Sequence, residues 1–128
     1  MASTPSFVST PRIGSAQIST ANTNRDGTGT VGTVIAGVAA GTRIMEVIVT
    51  ATVTTTAGMV RLFLDDGTNV RLLQEIQVSA ITVGASTKAF TATVTFDNLI
   101  LPSTSWELQA STHNAETFNV VALAGDLT

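Results

Sequence analysis

Apolar and polar residues alternate with a period of two along most of this chain. In Arg43–Thr54 the odd positions Met45, Val47, Val49, Ala51 and Val53 are apolar, and Glu46, Thr50, Thr52 and Thr54 fall between them. Met59–Asp65 carries Val60, Leu62 and Leu64 on one side, and Asn69–Val78 carries Val70, Leu72, Ile76 and Val78. Lys88–Phe96 sets Phe90, Ala92, Val94 and Phe96 against Thr91, Thr93 and Thr95; Ser105–Thr112 sets Trp106, Leu108 and Ala110 against Glu107, Gln109 and Ser111. Val31–Ala36 and Thr117–Ala124 complete the series. Successive side chains of a strand point to opposite faces, so each stretch predicts a strand with one face on a core. Pro102 lacks a backbone donor, which reads Asp97–Ser105 as a connection and not central sheet.

About eight short strands and no segment of helical period predict an all-β fold. Its form is a single β-sandwich, jelly-roll-like, with antiparallel strands in two four-stranded sheets; a seven-stranded immunoglobulin-like sandwich is the alternative. The Asp65-Asp66-Gly67 turn sharpens the register. A two-residue turn would put Arg71 on the core face opposite Leu62, so the pattern favours a three-residue loop with Gly67 at positive φ. That loop pairs Leu62 with Val70 and Val60 with Leu72. It also sets Arg61 opposite Arg71 and Met59 opposite Leu73.

Residues 1–30 differ from the rest. They hold Pro5 and Pro11, many Ser, Thr, Asn and Gly, and sparse apolar residues: Phe7, Val8, Ile13 and Ile18. The division expected is an N-terminal arm, residues 1–30, and a sandwich domain, residues 31–128. Two readings of the arm stand: Ile13–Thr20 is a first edge strand of its own domain, or the arm lies on a neighbouring subunit.

At 128 residues the chain suits one domain, large enough to bury a core without staples. It has no cysteine, hence no disulfide framework. Charged residues make up 12%, about half the usual share, and threonine and serine take the polar positions. Such a surface meets other proteins without desolvating many charges. The six basic residues, Arg12, Arg25, Arg43, Arg61, Arg71 and Lys88, are scattered, which argues against a nucleic-acid partner. No apolar run approaches the ~18 residues of a membrane span, and no signal peptide is read at the N-terminus.

Candidate chemistry is thin. Asn22, Asn24, Asp26 and Gly27 echo the start of a calcium loop, but Thr33 stands where a bidentate Glu belongs, so an Asx-rich turn is the reading and no metal is expected. His113, the only histidine, lies in a polar turn beside Glu116, with no nucleophile in view. Asp65 and Asp66 are turn residues and not a carboxylate pair across a cleft. Gly27, Gly29 and Gly32 lack the lysine and helix of a phosphate loop. Trp106 with Phe63 suggests a sugar platform, yet Trp106 falls on the apolar face of its strand. No catalytic residue and no cofactor is assigned.

One pattern exceeds a bland fold. Ile44, Ile48, Met59, Phe63 and Leu73 fall on faces that should be outer. With Phe7, Ile13 and Ile18 of the arm they form the expected interface, either an interaction surface or a face under a covering segment. The partners expected from this surface are further copies of the chain, a trimer being favoured, or a larger lattice onto which it docks.

The segments Gln17–Gly29, Thr56–Phe63 and Glu116–Val120 resemble small structural proteins of tailed bacteriophages and prophages. The resemblance implies a virion component, most plainly a head decoration (cement) protein that binds coat subunits and stabilises the shell. A tail or fibre component is the runner-up, and a carbohydrate-binding module the reading from another class. Catalytic residues are no part of that pattern.

Overall fold

The computed structural model describes residues 8–127. It contains eight strands: β1 (Val8–Ile18), β2 (Gly32–Ala36), β3 (Thr42–Ala51), β4 (Gly58–Asp65), β5 (Val70–Val78), β6 (Thr91–Leu101), β7 (Glu107–Thr112) and β8 (Phe118–Leu127). They form two four-stranded antiparallel sheets. The first has the order β1-β8-β3-β6 and the second β2-β7-β4-β5. Chain order and sheet order interleave as in two Greek keys wound together, which is the jelly roll.

The inward residues of both sheets make one core. Ile44, Val47, Val49, Val60, Leu62, Leu101, Leu108, Val120 and Ala122 are fully buried within it. Burying one such aliphatic side chain stabilises by about 1.5–3 kcal/mol. Phe90 and Phe118 meet edge-to-face, their ring centroids 6.4 Å apart. One end of the sandwich is closed by Arg12. Its guanidinium bonds the Asp126 carboxylate at 2.9 Å, the Thr42 hydroxyl at 3.2 Å and the Ala36 carbonyl at 2.8 Å. At Gly14, β1 presses against β2 so closely that an added Cβ would lie 2.6 Å from Cβ of Ile35.

Residues 8–18 of the expected arm are thus a strand of the first sheet, paired with β8 from Val8↔Leu127 to Ile18↔Phe118. For these residues the edge-strand reading describes the structure.

Three local expectations are corrected. First, the alternation in Arg43–Thr54 breaks at Met45. Ile44 pairs with Ala124 and Glu46 with Leu123, so Met45 is an extra, bulged residue. The bulge turns Met45 outward, 37% exposed, and turns Ile44 into the core. Second, the β4–β5 connection has four residues, Asp66 to Asn69, closed by Asp65↔Val70 and a hydrogen bond from the Asp66 amide to the Asn69 carbonyl. Gly67 has the expected positive φ, 94°. A bulge at Leu73 then resets the phase, giving Leu62↔Gln74, Val60↔Ile76 and Met59↔Gln77. Leu73 packs on the core and Leu72 is left exposed. Arg61 therefore faces Glu75, not Arg71. Third, β6 runs through Asp97–Leu101 as an edge strand, with Pro102 just beyond its end.

Candidate functional site

The two outer faces of the sandwich are built differently. On the second sheet, β4 directs Arg61, Phe63 and Asp65 outward, opposite the inward Val60, Leu62 and Leu64. Arg61 and Phe63 are nonetheless fully buried, and Gln109 and Ser111 on β7 are buried too. The covering segment is the connection from β1 to β2. It enters along β7, where the Asn22 amide donates to the Thr112 carbonyl at 2.8 Å, and it reaches β5, where Gly27 lies against Val70.

Arg61 is the pin beneath this strap. Its Nε donates to Glu75 Oε2 at 2.9 Å and its Nη1 to the Asn22 carbonyl at 3.3 Å. Its Nη2 lies 3.2 Å from His113 Nδ1. An arginine only donates, so His113 accepts in this contact through an unprotonated Nδ1. Arg25 of the strap binds the same Glu75 oxygen at 2.7 Å. A fixed buried cation with three partners meets the condition for burying charge. Hydrogen bonds from Arg25 and then Arg61 hold the Glu75 carboxyl below its ordinary range.

The strap is tied internally by Asx turns. Asn22, itself buried, donates to the Thr28 and Thr30 carbonyls, and its Oδ1 accepts the Asn24 amide. Asp26 accepts the hydroxyl and amide of Thr28, which lower its pKa. Gly27 and Gly29 both have positive φ. These side-chain oxygens are committed to turn hydrogen bonds, as the Asx-turn reading requires. Asp65 and Asp66 likewise cap the amides of their own loop. Among the described residues no cluster of three metal-ligating side chains occurs. Beside the strap a cleft of about 110 Å³ is lined by Ile18, Thr30, Ser111 and Thr112, among others. Ser111 Oγ has no protein partner there, and the cleft is roomy enough for the water that would satisfy it.

Among the described residues no segment straps the first sheet. On its outer face Ile13 of β1 stands opposite Leu123 of β8, and Val121 of β8 stands between Ser15 of β1 and Ile48 of β3. Ile13 is 72% exposed. Threonines 50, 91, 93 and 95 surround these aliphatics.

The expected interface residues therefore part company. Ile13 and Ile48 lie together on the open face. Ile18 and Ile44 are core, and Leu73 packs against it. Phe63 is buried on the strapped face, where Met59 is half-buried. Phe7 lies outside the described residues. A fully buried Phe63 offers no ring to a sugar, and Trp106 packs against the core. Val121 and Leu123 went unselected, although the alternation that sends Phe118, Val120 and Ala122 inward sends them outward.

The fold defines the class: an eight-stranded jelly roll with one strapped and one open face. No family model matches the chain, and no curated protein matches it. Among solved structures it is similar to a pentameric capsid protein isolated from metagenomic phage sequences, seen in two crystal structures. Identity is 12% in both, over 89% of this chain, with TM-scores of 0.44 and 0.43. The chain covers 59% and 61% of those two chains, about three-fifths of their length.

Proposed function

We propose that this chain is a structural protein of a phage particle, a decoration protein that packs its open face against further copies and against coat subunits. The observation that carries the proposal is the open face itself. It presents Ile13, Leu123, Val121 and Ile48 in register amid threonines, with Glu46 and Arg43 as the charged residues of the central strand β3 on that side. Contiguous aliphatic surface without a cover marks an interaction site. Low charge limits the desolvation that association costs. The sequence resemblance to phage structural proteins points the same way. The assembly is a homo-oligomer, three-fold as the sequence reading favours or five-fold as in the capsid protein of similar fold. A tail or fibre position is the second reading, resting on the same face.

Immunogold labelling of purified particles from a host carrying this gene tests the reading. Gold on heads supports it, gold on tails transfers the proposal to the second reading, and unlabelled particles overturn both. The mass of the purified protein by light scattering reads the order of the ring.

A further inference from the structure

Two sheets have four edge strands, and an edge strand offers unpaired backbone groups to any extended chain. Three of the four edges here are guarded. β1 and β2 lie against each other, with Gly14 seated on Val34 and Ile35 and Arg12 bonded to the Ala36 carbonyl. β5 carries the Leu73 bulge, the charges of Arg71 and Glu75, and the strap against Val70. Bulges and charges are the usual means of blocking an edge.

Among the described residues nothing of this kind guards the first half of β6. It is 11 residues long, its one neighbour is β3, and Asp97 is its single charge. Thr91 to Thr95 pairs regularly with β3, from Thr50↔Thr91 to Glu46↔Thr95, and holds no proline, glycine or charge. Its inward side chains are not finished either. Ala92, Val94 and Phe96 point at the core yet remain half-buried, because no strand lies beyond them. Among the described residues this edge has neither a hydrogen-bonding partner nor a cover for its apolar side.

We infer that β6 pairs antiparallel with β6 of a second copy, centred on Thr93, joining the first sheets of two molecules into one eight-stranded sheet. The segment is self-complementary in the way a two-fold interface requires. Thr93 meets Thr93 and Thr91 meets Thr95, and threonine pairs across strands are favourable. The flanking charges select the direction. Lys88 precedes the segment and Asp97 follows it, both exposed. An antiparallel partner brings the Lys88 end of one copy beside the Asp97 end of the other. A parallel one would set like charges together. The pairing uses the backbone edge of the sheet, but the Thr93 side chain also lies on the open face beside Ile48.

The native chain has no cysteine, so a single introduced thiol reports proximity cleanly. Opposed strand residues have Cα atoms about 4.5–5.5 Å apart, inside the range a disulfide spans. Under a mild oxidant, Thr93→Cys is expected to form disulfide dimers at least about 5-fold faster than Thr68→Cys, an exposed control in the β4–β5 loop. Equal or slower crosslinking overturns the inference. Ile13→Lys, on the far strand β1 of the open face, is the second control. It is expected to leave the Thr93→Cys crosslinking rate unchanged, and loss of crosslinking in Ile13→Lys assigns the contact to the open face and overturns the inference. Thr93→Lys opposes two like charges at the two-fold axis. It is expected to raise the concentration for half-dimerisation at least about 10-fold by light scattering, with thermal stability unchanged, whereas Thr93→Ser associates as the native chain does. Native-like association of Thr93→Lys also overturns it.

Discussion

Arg61 Nε sits 2.9 Å from Glu75 Oε2, with the arginine wholly buried and the glutamate at the rim of the strap. The pair is the register of β4 and β5 made visible, and it fixes the strap through Arg25 and Asn22. Glu75→Gln leaves Arg61 buried without its counter-charge and frees Arg25. The variant is expected to melt below the native protein at neutral pH, in a circular dichroism melt. An unchanged melting temperature would remove the pair from any part in stability.

The same pair sets a sign for acid. Glu75 is held low by Arg25 and Arg61, Asp26 by Thr28, and Asp66 by the amides of Asn69 and Thr68. A carboxyl whose folded pKa is depressed contributes stability above its unfolded value and loses it as pH falls through the folded one. The melting temperature should therefore drop as pH is taken below the carboxylate range of about 4. In Glu75→Gln that drop should be shallower. A melting temperature that rises on acidification contradicts the assignment.

The bulge at Met45 separates two neighbours by their surroundings. Ile44→Ala should cost about 2–5 kcal/mol, the range for emptying a packed aliphatic site. Met45→Ala should stay within about 0.5 kcal/mol, as surface changes do. Urea denaturation of the two variants decides. Strict alternation through the strand demands the reverse order.

Gly14→Ala tests how tightly β1 lies on β2. A methyl there collides with Ile35 and the Val34 carbonyl, so the strands must part. The expected loss is about 1–3 kcal/mol, the cost of overpacking. Gly84→Ala, where a Cβ meets nothing within 4 Å, is the control. Equal denaturation midpoints for the two would show that β1 yields freely.

Ile13→Lys changes only the open face. Folding stability should move by no more than about 0.5 kcal/mol. Sedimentation velocity should show a loss of the larger species formed through that face. A native sedimentation profile would move the contact elsewhere.

The fold was legible because alternation at period two survives in most strands, and the turn at Gly67 carries its own chemical signal. What stayed hidden about register follows from one cause. Bulges at Met45 and Leu73 shift the phase by one residue, and neither position has a side chain that announces it. A methionine and a leucine read as core on either face. Burial of Arg61, Phe63, Gln109 and Ser111 was hidden for a different reason. A strap some 30 to 40 positions earlier in the chain than the first of these covers them, and alternation reports which way a side chain points, not what lies above it. The open face was half legible: Ile13 and Ile48 stood out, while Val121 and Leu123 were masked by the stronger inward pattern of their own strand.

Strand β8 lies in the middle of the first sheet, between β1 and β3, though it follows the other seven in chain order. Ile18 finds Phe118 and Val8 finds Leu127 across all the strands between them. A nascent chain stalled before residue 118 owns every strand of the second sheet, but its β1 and β3 are left without the neighbour that joins them. The first sheet is complete only after translation has passed residue 127, and pairing across so long a separation is slow to find. Each new molecule thus passes a short interval with β1 unattached, its backbone groups open to other chains.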